Sequence, residues 1–236
     1  MTEQSTPHIP PPDHHRDVTG GALRAGVFGA MDGLVSNFSL VAGVIGAGLA
    51  SNHVILTGLA GLAAGAFSMA AGEYTSVISQ AEATEAEIEK EKLEISRNPK
   101  GEALELAEIY EGYGMSPEIA HEAARQVTAH PEQSWRVHAR EELGVDPDDL
   151  PSPYVAAISS FLAFTVGALI PLLPLFFGLN SIVAVALVSA VGLFASGALV
   201  ARLTTRPMWF GGGRQLVLGL VAAAATYLFG TLVGGI

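Results

Sequence analysis

Five apolar stretches constrain this chain more than any other feature, each long enough for a helix of about 20 residues to cross the hydrocarbon core of a bilayer. They run approximately from Leu23 to Leu49, Val54 to Ser79, Tyr154 to Phe177, Ser181 to Leu203 and Leu216 to Val233. Lipid offers no partner to an open backbone, so spans of this length fold as helices. The expected fold class is therefore an all-α membrane protein with five transmembrane helices. Its composition agrees: half of the 236 residues are hydrophobic and the mean hydropathy is +0.40.

The spans divide the chain into a polar, proline-rich tail (1–19), a first pair of spans (20–79), a polar insert (80–150) and a second group of three (151–236). The tail has no cationic segment ahead of an apolar one, so it reads as disordered and not as a cleavable signal. Arg16 and Arg24 precede the first span, Arg202, Arg206 and Arg214 flank the fourth and fifth, and all other Lys and Arg lie between Lys90 and Arg140. With five crossings every basic residue falls on one side. The positive-inside rule makes that side cytoplasmic, with the insert and the N-terminus inside.

Residues 80–150 hold 18 acidic against 7 basic groups, a net of −11 that equals the formal charge of the whole chain. Such a domain repels nucleic acid and attracts cations. It reads as four helices: one ending before Pro99 and extending the second span, one over "GEALELAEIYEGYG", one capped by Ser116 with Pro117 at its first position, and one from Pro131 to the turn at Gly144. Glu87, Glu91 and Glu94 share one helix face; Glu82, Glu85 and Glu89 share another. Glu102, Glu105 and Glu108 recur every three residues. Like charges at these spacings destabilise a helix unless cations compensate. A solvated acidic surface and a site for divalent metal are both compatible with this pattern.

Two carboxylates fall inside spans, where each costs about 2.5 to 3.5 kcal/mol at the helix centre. Asp32 sits in "GVFGAMDGLVSNFSL", with Ser36, Asn37 and Ser39 following as a polar seam. Glu73 lies four residues after Met69 in "AFSMAAGEYTS", so carboxylate and thioether share one face. A lone Met packs; one beside a buried carboxylate also suits a transition metal, since sulfur is a soft ligand. Small-residue pairs at Gly29 and Gly33, Gly61 and Gly65, and Gly230 and Gly234 favour close helix contacts or dimerisation. Pro171 and Pro174 kink the third span. Glu118 and His121 have the spacing of a di-iron ligand pair, without a second copy. His8, His14 and His15 are further imidazoles in the tail. The absence of cysteine removes thiolate sites, and no phosphate-binding loop or hydrolase motif supports an ATP-driven pump or a hydrolase.

The segments "MDGLVSNFSLVAGVIGA", "AGAFSMAAGEYTSVISQ", "WRVHAREELGVD", "PSPYVAAISSFLAFTVGALIPLLP" and "GGGRQLVLGLVAAAATYLFG" together resemble the vacuolar iron transporter family. The resemblance covers nearly the whole chain from Arg24. It implies a homodimeric divalent metal/proton antiporter exporting Fe²⁺ from the cytosol, with Mn²⁺ and other transition metals as further substrates. It implies a secondary transporter without enzyme activity or a prosthetic group, whose partners are metal ions, protons and the bilayer. By resemblance the translocation site falls on Asp32 and Met69, with Glu73 at the family's acidic "GEY" position. Two copies of Asp32 at a dimer axis would neutralise a dication and hold a proton between them when the metal leaves.

The metal-binding glutamates of the insert fall by resemblance on Glu91, Glu94, Glu102, Glu105 and Glu142. Plant members carry paired methionines where this chain has His138 and Ala139, so the His138 imidazole is the candidate replacement ligand. Plant members also have proline where this chain has Asn37, which points to a prokaryotic protein of the inner membrane. The rival readings are a membrane-anchored iron sensor or store built on the insert, and a di-iron oxidase using Glu118 and His121.

Overall fold

The fold follows from a computed structural model that describes residues 21–204 and 206–235. The order is α1 (Gly21–Gly46), α2 (Ser51–Arg97), α3 (Pro99–Gly112), α4 (Pro117–Thr128), α5 (Pro131–Glu141), α6 (Pro153–Leu169), a 3₁₀ turn (Ile170–Leu172), α7 (Leu173–Phe176), α8 (Ile182–Leu203) and α9 (Met208–Gly234). The described residues contain no strand. Five helical segments are long and apolar enough to cross a membrane: α1, α2, the kinked α6–α7 unit, α8 and α9. Many of their large apolar side chains, such as Leu56, Phe67, Val166 and Val191, point outward, as expected where lipid replaces water.

α1 is the centre of the bundle. Its Leu34, Phe38, Val41 and Ala42 are buried with Val54 of α2, Leu172 and Leu175 of the kinked unit, Val185 and Leu193 of α8 and Ala223 of α9. Glycines set the approach of α1 to α6. A Cβ at Gly33 would strike the Phe164 carbonyl, and one at Gly167 the Ala30 carbonyl. The pair Gly230 and Gly234 likewise meets the α1 backbone at Gly43 and Ala47. These small-residue pairs thus serve contacts within one chain, which is the packing use of such spacing in lipid.

α2 is one continuous helix of 47 residues, about 70 Å at 1.5 Å per residue, more than twice the thickness of a hydrocarbon core. Its second half leaves the bundle and carries the insert. There Leu106 and Ala107 of α3 pack on Ala120 and Ala124 of α4, with Val137 of α5 against them. Lys92 of α2 lies 4.3 Å from the ring centroid of Trp135 on α5.

Three boundaries differ from the apolar stretches. α1 stops at Gly46, ahead of Gly48 at φ 75°, a value that favours glycine. The third span breaks at the turn holding Pro171, as its prolines suggest. α9 begins at Met208, eight residues before the apolar run. Gly211 and Gly212 lie in these added first turns, and any side chain there would collide with Ala201 and Phe194 of α8.

Candidate metal sites

Two clusters stand out, one in the insert and one between the spans. The first is built from three helices and the residue that closes the last of them. Glu91 lies on the extended part of α2, Glu102 in the first turn of α3, His138 near the end of α5, and Glu142 at its C-cap. Asn98 joins α2 to α3, and its side chain accepts from the Gly101 amide, which fixes the reversal that brings Glu102 back toward Glu91. Helical spacing of four residues then puts Glu142 on the face of His138.

One ligand atom from each of these four side chains lies within 4.8 Å of the others. His138 Nδ1 is 2.6 Å from Glu142 Oε1, 3.3 Å from Glu91 Oε1 and 4.0 Å from Glu102 Oε2. Around an octahedral ion with ligands at about 2.1 Å, opposite ligands are about 4.2 Å apart and adjacent ones about 3.0 Å, so a single dication would draw the widest pairs in and open the His138–Glu142 hydrogen bond. His138 is fully buried, and Glu91 and Glu102 are nearly so. Uncompensated carboxylates in such a place are costly. Burial first, then the charges of Glu142 and Glu102, pushes the Glu91 carboxyl up to about 7. Burial and the neighbouring Glu105 also raise Glu102. Burial works against a charged His138, but the hydrogen bond with Glu142 and the surrounding carboxylates outweigh it and raise its pKa.

Glu94 and Glu105 are exposed and stand outside the four-residue group, although both add negative charge to it. The Glu118 and His121 pair is also exposed. His121 lies 3.8 Å from Glu111, and neither residue joins a group of three or more metal-ligating side chains among the described residues. His8, His14 and His15 lie outside the described residues.

The second cluster is a cavity of about 200 Å³ between α1, α2 and α6, lined by Asp32, Ser36, Asn37, Gly61, Gly65, Ser68, Met69 and Phe164 together with Leu40. The polar seam of α1 divides here. Ser36 Oγ donates to Asp32 Oδ1 at 2.9 Å, whereas Ser39 is outside the lining, its Oγ buried without a partner among the described residues and its backbone carbonyl accepting from Thr226 of α9. Gly61 and Gly65 keep the α2 wall open, since a Cβ at either would strike Leu40 or Phe164. Asp32 and Met69 therefore face one space across two helices. Glu73, one turn beyond Met69, is not part of the lining. It accepts from Arg24 at 3.2 Å, with the guanidinium half-exposed and the carboxylate mostly covered. That pairing was open to sequence reasoning, because Arg24 is the other charged residue of the first apolar run.

The fold defines an α-helical membrane protein, and outside its spans one buried group of three carboxylates and an imidazole could hold a metal ion. The model of the VIT family matches residues 23–231. The chain is 39% identical over 191 residues to the vacuolar iron transporter of Acanthamoeba castellanii, covering 76% of this chain and 69% of that protein. It is 34% identical over 168 residues to vacuolar iron transporter 2 of Oryza sativa subsp. japonica, covering 70% and 68%. With vacuolar iron transporter 1 of Arabidopsis thaliana it shares 32% over 191 residues, covering 78% and 76%. The chain belongs to the VIT family.

Proposed function

We propose that the protein transports divalent metal, Fe²⁺ first and Mn²⁺ among the alternatives, out of the cytosol in exchange for protons. The observation that carries this reading is the cavity shared by Asp32 and Met69. A carboxylate supplies charge and a thioether favours transition metals over Mg²⁺ and Ca²⁺. The names of the relatives, vacuolar iron transporters, support the same substrate.

One Asp32 neutralises half of a dication. A homodimer that brings two copies of the cavity together would supply the rest and would keep a proton between the carboxylates when metal leaves. Metal binding then releases that proton, which couples the two fluxes without ATP. The acidic insert faces the cytoplasm in this scheme. Glu91, Glu102, His138 and Glu142 collect metal there, and the ion pair of Arg24 with Glu73 lies on the route from the insert to the cavity. Imidazole nitrogen suits Fe²⁺ and carboxylate oxygen suits Mn²⁺.

The test is Fe²⁺ uptake into proteoliposomes under an imposed pH gradient, with Asp32→Asn beside the wild type. Asp32→Asn should lose flux while still inserting and dimerising. Retained flux in folded Asp32→Asn protein would remove this residue from the mechanism. A wild type that binds Fe²⁺ and carries none would favour the sensor or store.

A further inference from the structure

Asn37 is one of the least exposed polar residues of the bundle, at 2%, and its two amide atoms have unequal surroundings. Nδ2 donates to the Ala168 carbonyl at 2.6 Å. The reason lies in α6: where the helix tightens into the 3₁₀ turn, the carbonyl of residue 168 would accept from residue 171, and Pro171 has no N–H to give. A carbonyl can only accept, so the nitrogen must face it, and the orientation of the amide is chemically forced. Oδ1 is thereby turned toward α2. It is buried and bonds no donor among the described residues. Its neighbour across the gap is Gly61, whose Cβ, if present, would stand 3.4 Å away, and both residues line the cavity of Asp32 and Met69.

An unpaired carbonyl oxygen in a low-dielectric site is costly unless something in the cavity meets it. We infer that Asn37 Oδ1 is a third ligand of the membrane site beside the Asp32 carboxylate and the Met69 sulfur, acting on the cation directly or through one retained water, and that it shifts the site toward oxygen-preferring dications such as Mn²⁺. The inference rests on reading the cavity as the cation site. The amide adds a donor without adding charge, so it assists binding without opposing the later release of the ion. A volume of about 200 Å³ leaves room for an ion with part of its water shell.

The test measures half-saturating concentrations for Mn²⁺ and Co²⁺ in proteoliposomes containing wild type, Asn37→Leu, Asn37→Asp and Asp32→Asn. Asn37→Leu keeps the volume and removes the oxygen, so the Mn²⁺ value should rise about threefold to tenfold relative to the Co²⁺ value. Asn37→Asp keeps an oxygen and makes it anionic, so the same ratio should fall. This second variant decides the matter if Asn37→Leu does not fold, which size-exclusion chromatography would reveal. A role confined to tying α1 to α6 would lower both fluxes together and leave the ratio at the wild-type value in every folded Asn37 variant; that result overturns the inference. Flux surviving in Asp32→Asn overturns the reading of the cavity itself. A dead Asp32→Asn with unchanged ratios in the Asn37 variants removes Asn37 alone.

Discussion

Replacing Glu91 with Gln should make the metal-free protein more stable and its metal binding weaker. Glu91 is 6% exposed, and its carboxyl is raised from 4.5 to about 7 by burial and by Glu142 and Glu102. A carboxyl whose pKa is higher in the folded state takes up a proton on folding. Its contribution is therefore most favourable below pH 4.5 and is lost as pH rises toward 7. At about 1.4 kcal/mol per pH unit the loss amounts to about 3 kcal/mol. The raised His138 acts in the same direction, because its stabilising proton also leaves as pH rises. A metal ion would supply at neutral pH the positive charge that protons supply in acid.

Gln imitates the protonated carboxyl at every pH. Hydrogen–deuterium exchange of the full-length protein, with chelator present, should show slower exchange in α3 and α5 of Glu91→Gln at pH 8, by about 10- to 100-fold where local opening is limiting. The difference should vanish near pH 4.5. Added Mn²⁺ should protect the same helices strongly in wild type and weakly in the variant. Equal or faster exchange of the variant at pH 8 would refute the idea that four ligands are held together against their own repulsion.

Further predictions follow from the same geometry. The double variant Glu91→Gln with Glu102→Gln should abolish tight Fe²⁺ or Mn²⁺ binding by calorimetry, whereas Glu94→Gln with Glu105→Gln should reduce affinity by less than about tenfold, since exposed charges act only through screened fields; equal losses would undo the division between ligands and bystanders. Met69→Leu preserves volume, so it should leave folding intact while strengthening Mg²⁺ competition against Fe²⁺ transport, and an unchanged competition curve would argue against sulfur as a ligand. Gly33→Ala places a methyl against the Phe164 carbonyl and should destabilise the α1–α6 contact by about 1 to 3 kcal/mol, seen as a lower thermal midpoint in detergent; wild-type stability would show that the two helices can part at little cost.

Apolar length and charge are properties of a continuous segment, and that is why the five spans, the helical class and the acidic insert were legible from the order of residues alone. Pro117 and Pro131 marked helix starts in the same local way, because each fixes its own φ and has no N–H to lose; Pro99, read only as a break, is itself the first residue of α3. What gathers at a site is decided by tertiary structure. Nothing local distinguishes Glu91 from Glu94, or Glu102 from Glu105, yet the turn at Asn98 and the return of α5 bury the first of each pair against His138 and leave the second in solvent. Asn37 makes the point most clearly. Its sequence neighbours say only that a polar residue lies within a span, while the direction of its carbonyl is set by a proline missing its N–H on another helix, more than a hundred residues along the chain.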